Sequence, residues 1–232
     1  MTRRGPEPSD PRHFRQDVVP TLRTATADLS WLLGRGYAEQ AALKLVGDRF
    51  QLAKRQRHAV VRAACTDAER DQRAASRVSV SGQPVVIDGF NTLIVLERAL
   101  AGGPVFVGRD GAIRDIGGVH GTYRTVEHTP RAVHLLAGWL ERRGASEVRL
   151  LLDRPVSNSG KLAGLIREAV PAWTVEVEDR VDPMLVDAEA VVCSADAWVL
   201  DHCARWANVV RELLAEELAD AWVVDLSDQP SP

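Results

Sequence analysis

Short apolar runs that alternate with helical segments constrain the fold of this chain more than any other feature. From Val78 onward, runs rich in Val, Ile and Leu are separated by segments whose apolar residues recur at spacings of three and four. Strands that alternate with helices are typical of a parallel sheet covered by helices. We therefore predict a three-layer α/β fold with a parallel sheet for residues 78–232. The predicted strands are Val85–Ile87, Val148–Leu152, Thr174–Val177, Ala190–Cys193 and Trp222–Asp225, and the predicted helices are Thr92–Ala101, Pro130–Arg143, Lys161–Val170, Trp198–Trp206 and Val209–Leu218.

A glycine-rich stretch, residues 102–127, interrupts this alternation. It contains the apolar string Val105-Phe106-Val107 and is longer than an ordinary connection between two elements. We predict a hairpin or an extended loop here.

The sequence before residue 78 predicts a small all-helical module. Apolar residues such as Leu22, Leu29 and Leu33 recur at helical spacing, and Gly34 and Gly36 follow the first such segment. We predict helices over about 14–34, 37–46 and 49–65, then a charged linker that ends near Arg77, and we name residues 14–77 the helical module. Residues 1–13 are rich in Pro and Arg, and we expect a disordered tail.

Charge is distributed unevenly between these parts. Residues 1–77 carry a net charge of +6 (15 Lys and Arg, 9 Asp and Glu), whereas residues 78–232 carry −9 (14 and 23), which together give −3. A basic module joined to an acidic one is typical of a protein that meets a polyanion at one end and gathers carboxylates at the other. The alternative is a chance surface charge in a sequence rich in Arg and Ala.

Several classes of protein are excluded by composition. No apolar run approaches the roughly 18–20 residues that span a bilayer, which argues against a membrane protein. The first residues lack the apolar stretch of a secretory signal. Three widely spaced cysteines, Cys65, Cys193 and Cys203, offer neither a disulfide framework nor a set of zinc ligands, and they fit the reducing cytoplasm, where we expect the protein to reside.

Aspartates follow the predicted strands at the point where each strand ends. Asp88 and Asp153 come directly after apolar runs, Asp179 and Asp182 follow the third strand, and Asp196 follows the fourth. Because the carboxyl ends of parallel strands meet at one edge of a sheet, we expect these side chains to converge there. Converging carboxylates repel one another unless a cation binds among them, and their hard oxygen atoms favour Mg²⁺ or Mn²⁺. The alternative is that each aspartate only caps the helix that follows it.

The string Asp88-Gly89-Phe90-Asn91 after an apolar strand resembles the signature of NYN-type nucleases, a branch of the PIN-like superfamily. Val181-Asp182 and Ser194-Ala195-Asp196 occupy places comparable to two further elements of that signature. The resemblance covers the C-terminal half and implies a PIN-like (NYN-like) fold with metal-dependent hydrolysis of phosphodiester bonds in RNA. It implies that Asp88, Asp182 and Asp196 are catalytic metal ligands and that Asp153 is a fourth.

The chain from about residue 14 to residue 210 is also similar to an uncharacterised prokaryotic family that has a short N-terminal helical domain of unknown function. That family brings no established activity. The strings that carry this similarity are 42–50, 114–121 and 152–160.

Polar and basic residues near the predicted acidic edge are candidates for binding the substrate. Asn91 and Ser194 are placed to orient water or phosphate. Lys161 follows Asn158-Ser159-Gly160 at a predicted helix start, where free backbone N–H groups favour a phosphate, although a solvated helix lysine is the equal alternative. Arg109, Arg114 and Arg154 lie on the glycine-rich stretch or beside the edge. Arg49, Arg55 and Arg62 crowd one predicted helix and are weaker candidates for contact with a nucleic-acid backbone, the alternative being a solvated helix face.

Three functions remain open on the sequence alone. The first is a metal-dependent ribonuclease, whose helical module contacts RNA or docks a protein or a second copy of the chain. The second is a non-catalytic RNA- or protein-binding relative, which is favoured because Trp198 stands where many NYN nucleases place a second acid. The third is a phosphoesterase that acts on a small substrate. We expect five tryptophans at periodic apolar positions to be core or interface residues rather than surfaces on which bases stack: Trp31, Trp139, Trp198, Trp206 and Trp222.

Overall fold

The computed structural model describes residues 5–117, 123 and 125–228. Helices occupy the part before residue 77, and strands alternate with helices after it. The predicted α/β class with a parallel sheet is therefore confirmed.

Helices α1 to α5 lie in the N-terminal third. Gln51, with a φ of 50°, separates α3 from α4, so the helix predicted over 49–65 begins later than expected. The charged linker predicted before Arg77 is instead largely helix α5, because Thr66 and Glu69 cap its first turn reciprocally, with N···O distances of 3.2 and 2.7 Å. The bounds are α1 (Asp10–His13), α2 (Val19–Gly34), α3 (Glu39–Arg49), α4 (Lys54–Ala63) and α5 (Asp67–Ser76).

The segment predicted to be a disordered tail is ordered from Gly5 onward; residues 1–4 lie outside the described part. Asp10 is fully buried, and its carboxylate accepts hydrogen bonds from Arg55 of α4 at 2.6 and 3.0 Å and from Arg98 at 3.2 Å. Phe14 packs edge-to-face against Phe106 at 4.8 Å. Two guanidinium groups and an aromatic contact thus fix this segment, and local composition does not reveal them because these partners are remote in the chain.

Four parallel strands form the main sheet, in the order β5-β4-β1-β6. The register pairs Asp88 with Leu151 and Ile87 with Cys193, so that Ser194 comes level with Asp88 at the carboxyl edge. The strands are β1 (Pro84–Asp88), β4 (Glu147–Asp153), β5 (Thr174–Glu178) and β6 (Val191–Cys193).

Helices cover both faces of this sheet. Val85 and Ile87 of β1 belong to one core cluster, whereas Val86 belongs to the cluster on the opposite face. This alternation of side chains gives the predicted three layers. The helices of the first face are α6 (Gly89–Leu100), α7 (Thr129–Arg142), α8 (Ser159–Ala169) and α11 (Val209–Glu217), and those of the second are α9 (Val181–Val186) and α10 (Ala197–His202).

The strand predicted at residues 222–225 does not join the main sheet. It forms β7 (Val223–Asp225), which pairs in parallel with β2 (Val105–Val107), and β2 pairs antiparallel with β3 (Ile113–Arg114). The hairpin predicted in the glycine-rich stretch is thus present, and residues 118–122 and 124 of that stretch lie outside the described part. Phe106, Val224 and Leu226 pack with the helical module, so this second sheet joins the two parts of the chain in one core.

Gly89, the first residue of α6, lies where a side chain has no room. A Cβ atom there would come within 2.6 Å of Leu152 Cδ2 and 2.7 Å of the Leu151 carbonyl oxygen. We expect Gly89→Ala to push α6 away from β4 and to lower the free energy of unfolding by about 1–3 kcal/mol, measured by urea denaturation. Gly164→Ala on α8 is the control, because nothing lies within 4 Å of the added atom and stability should not fall. Equal stability of the Gly89→Ala variant and the wild type would contradict this account.

Candidate active site

The candidate site lies at the carboxyl edge of the main sheet, where the strand order reverses. From β1 the chain proceeds to β4 and β5 on one side, and β6 then returns to the other side of β1. The loops that follow β1 and β6 therefore diverge and leave a crevice, which is where open α/β sheets bind ligands. Asp88 ends β1, and Ser194 and Asp196 follow β6.

Asp88 is the most buried acid of this edge, with 2% of its surface exposed. Its Oδ2 accepts hydrogen bonds from Asn91 Nδ2 at 2.6 Å and from Ser194 Oγ at 2.7 Å, and its Oδ1 accepts one from the Asn91 backbone N–H at 3.3 Å. Ser194 Oγ in turn accepts a hydrogen bond from the Asp196 backbone N–H at 3.0 Å. These bonds fix the orientation of the Asp88 carboxylate and tie the loop after β6 to the end of β1.

Burial raises the pKa of Asp88 to about 6. The hydrogen bonds from Asn91 and Ser194 oppose this rise, and the neighbouring carboxylate of Asp153 adds to it. At Asp88 the effect of burial therefore outweighs that of three hydrogen-bond donors.

Among the other acids of the edge, each of two carboxylates raises the pKa of a neighbouring one. Burial raises the pKa of Asp153, and the carboxylate of Asp182 raises it further; burial and then Asp196 raise the pKa of Asp182 in the same way. Within the described part of the chain, none of these four aspartates forms an ion pair with Lys, Arg or His. We call this group the acidic edge: Asp88, Asp153, Asp182 and Asp196.

Two members of the acidic edge also cap helices. Asp88 caps α6, and Asp196 caps α10 by accepting a hydrogen bond from the Val199 backbone N–H at 3.2 Å. The capping role weighed above is therefore real for these two residues. Capping uses only Asp88 Oδ1, whereas Oδ2 accepts the hydrogen bonds from the Asn91 and Ser194 side chains.

A cleft of about 500 Å³ opens beside Asp153 of this edge and lies between the two parts of the chain. His58 and Arg62 of α4 line one wall, and Asn91 and Asp153 line the other. Asp88 does not line the cleft, but it accepts a hydrogen bond from Asn91, which does. The cleft thus places the basic helix α4 opposite Asp153, the member of the acidic edge that lines it.

The donor atoms of the acidic edge suit Mg²⁺ or Mn²⁺, although they are not assembled as a ligand cage. Among residues 5–117, 123 and 125–228, no three acidic, His or Cys side chains lie close enough together to hold a metal ion. Mg²⁺ keeps several waters and is commonly bound through only one or two carboxylates, so a complete cage is not required. The mutual rise in pKa along the edge is what a bound cation would relieve.

A buried ion network holds the loop that carries Asp196. Asp110 accepts hydrogen bonds from Arg73 at 2.6 Å and from Arg114 at 2.9 and 2.6 Å. Arg114 also donates to the Ala195 carbonyl oxygen at 2.7 Å, and Arg73 donates to Asp201 of α10 at 2.7 Å. Although burial alone would raise the pKa of Asp110, the guanidinium groups of Arg114 and Arg73 hold it well below its usual range.

This network changes the role expected of two arginines. Arg114, predicted to bind substrate, is buried and positions the backbone beside Asp196. Arg109 is also engaged: it donates to Asp67 at 2.8 Å, to Asp228 at 2.9 Å and to the Cys65 carbonyl oxygen at 2.6 Å. Neither side chain lines the cleft.

The remaining predicted substrate residues lie around the loop after β4. Arg154 is exposed and pairs with Asp179 at 3.1 Å. Asn158 has a φ of 71° and donates from Nδ2 to the Tyr123 carbonyl oxygen at 2.8 Å, which ties this loop to the glycine-rich stretch. Ser159 is buried at the start of α8, whereas Lys161 is exposed and forms no ion pair with the described residues.

The three arginines predicted to contact a nucleic-acid backbone lie in different surroundings. Arg55 is bound to Asp10, Arg49 is exposed and 3.8 Å from Asp28, and Arg62 lines the cleft. Trp139 and Trp206 are core residues, whereas Trp31 and Trp198 are 58% and 47% exposed, which leaves the interface role as the prediction for these two.

His58, which is not among the predicted site residues, lines the cleft beside Arg62. The signal was present, since the two residues are four apart and therefore share one face of α4. Phe90, which lines the other wall, was noted only as part of a motif.

The cysteines do not contribute to the site. Cys65, Cys193 and Cys203 are free and buried. Burial raises the pKa of the Cys65 thiol to about 12 and also raises the pKa of the other two. None of them can supply a thiolate nucleophile near neutral pH.

Asp88 should make the stability of the cation-free protein depend on pH. Its pKa of about 6 in the folded chain lies above the ordinary value of 3.8, so folded protein binds this proton more tightly than unfolded protein does. Ionisation of Asp88 therefore lowers stability as pH rises through this window. We expect the free energy of unfolding of Asp88→Asn, relative to wild type, to increase by about 2–3 kcal/mol between about pH 4 and pH 7.5.

Urea denaturation of both proteins with EDTA, at a series of pH values, measures this difference. A difference that does not change with pH would show that Asp88 is not perturbed in the folded chain.

Fold and site together define a two-part protein in which a helical module faces the acidic edge of a parallel α/β sheet. The chain belongs to the family described as Domain of unknown function (DUF5616), whose family model matches residues 77–212. A second family model, described as Protein of unknown function (DUF434), matches residues 21–75. The first match contains all four members of the acidic edge, and the second contains His58 and Arg62.

A relative of similar length comes from Methanocaldococcus jannaschii. The uncharacterized protein MJ0935 is 32% identical over 205 residues, which cover 85% of this chain and 97% of the relative. No solved structure matches the chain. Among the described residues, no helix has the length and apolar character needed to cross a membrane.

Proposed function

We propose that this protein is a metal-dependent ribonuclease with a PIN-like α/β domain. The observation that carries the proposal is the acidic edge itself. Four aspartates lie at or just beyond the carboxyl ends of the strands around the switch point of the sheet, and none has a cationic partner among the described residues. Because unrelieved repulsion of this kind costs stability, a purely structural role does not account for it.

The side chains of the acidic edge would hold Mg²⁺ or Mn²⁺, with Asp88 and Asp153 as the inner pair. When bound, such an ion lowers the pKa of a water molecule and offsets charge on the scissile phosphate. Ser194 and Asn91 hold Asp88 in one orientation through hydrogen bonds of 2.7 and 2.6 Å. The resemblance to NYN-type nucleases and the cationic wall of the cleft support RNA as the substrate, and the three unpaired cysteines support a cytoplasmic setting.

The second candidate is an RNA-binding protein without nuclease activity. Trp198 favours it, because this side chain is exposed beside the acidic edge and stacks on His202 with ring centres 4.7 Å apart. An exposed aromatic surface of this kind can stack on a base. A small phosphate ester is the poorer substrate, since the cleft is open and Phe90 is its one aromatic lining residue among those described.

Incubation of the purified protein with end-labelled single-stranded RNA tests the proposal. We expect cleavage with Mg²⁺ or Mn²⁺ and none with EDTA, while single-stranded DNA and a small phosphodiester serve as competing substrates. RNA that is bound but never cut, with either metal, would favour the second candidate. Preferential cleavage of the small ester would favour a phosphoesterase instead.

A further inference from the structure

We propose that Arg62 and His58 of the helical module bind phosphate groups of the RNA, so that the module forms half of the substrate site. This inference rests on the proposed function for the identity of the ligand. It assigns to the helical module direct contact with the substrate, rather than the docking of another protein.

Arg62 is the arginine of α4 that is available to a ligand. Arg55 is bound to Asp10 at 2.6 Å, and Arg57 is bound to Asp48 at 2.7 Å. Arg62 is exposed, lines the cleft and forms no hydrogen bond or ion pair with the residues that the structure describes. Two arginines of this helix therefore stabilise the fold. The guanidinium group of the third, Arg62, is exposed in the cleft and has no partner among the described residues.

The cationic wall is the side of the cleft that His58 and Arg62 of α4 line, and packing and hydrogen bonds fix this helix against the rest of the chain. Ala59, Val60 and Ala63 bury the opposite face of α4. The end of the helix is fixed by Arg109, whose backbone N–H donates to the Ala63 carbonyl oxygen at 2.9 Å and whose side chain donates to Cys65. His58 and Arg62 are thus presented on one face by a helix that is anchored at its C-terminal end.

The two walls of the cleft carry charges of opposite sign, but Arg62 on one wall does not pair with Asp153 on the other. Arg62 and Asp153 both line the cleft, yet they form no ion pair. A ligand that brings phosphate to the arginine, together with a divalent cation for the carboxylates, would satisfy both walls at once. A guanidinium binds phosphate through paired charge-assisted hydrogen bonds, and a cleft open to solvent accepts a polymer that extends beyond it.

The test is the affinity of the full-length protein for a fluorescein-labelled single-stranded RNA, measured by anisotropy in EDTA over a series of salt concentrations. We expect Arg62→Ala to raise the Kd about tenfold. The slope of log affinity against log salt should become shallower by about 0.7, because one phosphate contact is lost. The matched control is Arg49→Ala, an exposed arginine of the same module that does not line the cleft, for which we expect neither change.

Three results would overturn the inference: wild-type protein that binds RNA neither in EDTA nor with added Mg²⁺, an unchanged Kd and salt slope for Arg62→Ala, or an equal loss in Arg49→Ala. Unchanged thermal unfolding of Arg62→Ala excludes misfolding as the cause of lost affinity.

The nuclease proposal is separable from this inference. Arg62-dependent binding without cleavage by any metal would reject the nuclease alone, whereas cleavage with an unchanged KM in Arg62→Ala would reject only the role of Arg62.

Discussion

Asp88→Asn should reduce metal-dependent cleavage of RNA about a thousandfold. The substitution keeps the shape of the side chain but removes the charge of the acid that Asn91 and Ser194 orient. Stabilisation of a reacting phosphate by a bound cation is worth several kcal/mol, which corresponds to a loss of this size. The measurement is the single-turnover rate with saturating Mn²⁺.

Asp179→Asn is the matched control for this experiment. Asp179 is an exposed aspartate beyond the same sheet edge, but it pairs with Arg154 at 3.1 Å and does not belong to the acidic edge. We expect its variant to cleave RNA at the wild-type rate. Cleavage by Asp88→Asn at the wild-type rate would assign the activity to another site or to a contaminant.

Asp110→Asn should destabilise the protein by about 3–5 kcal/mol, which is the largest effect on stability that we expect. The substitution leaves the buried guanidinium group of Arg114 without a neutralising charge and leaves that of Arg73 with Asp201 as its one remaining acidic partner among the described residues. Their neighbours Ala195 and Asp201 belong to the loop and helix that follow β6, so the acidic edge should also loosen. Urea denaturation measures the change in the free energy of unfolding.

The control for this prediction is Asp71→Asn. Asp71 pairs with Arg70 at 3.0 Å on the exposed face of α5, and exposed ion pairs contribute about 1 kcal/mol or less. Similar losses in the two variants would contradict the view that burial of the Asp110 network gives it its importance.

The sequence is informative about the acidic edge because the relevant signal is local. An aspartate directly after an apolar run lies at a strand end, and parallel strands bring their ends together. Asp88 and Asp153 end β1 and β4 in this way, and Asp196 follows β6. The capping roles of Asp88 and Asp196 share the same signal, so a sequence cannot separate capping from a further role.

The arginines were harder to interpret because their partners are remote in the chain. Arg109 is bound to Asp228, Arg73 to Asp110 and Arg55 to Asp10, each pair being separated by tens of residues or more. A stripe of arginines on a helix therefore does not reveal which of them is free. The same limit applies to β7, whose pattern predicts a strand but not its pairing with β2.

The most direct test of the central claim is a titration with Mn²⁺, followed by electron paramagnetic resonance of the free ion. The acidic edge predicts saturable binding by the wild type and by Asp179→Asn. It also predicts an affinity at least about tenfold lower in Asp88→Asn and in Asp153→Asn, since each variant loses one of the inner carboxylates. Binding that is absent from the wild type, or equal in all four proteins, would contradict a metal site at this edge of the sheet.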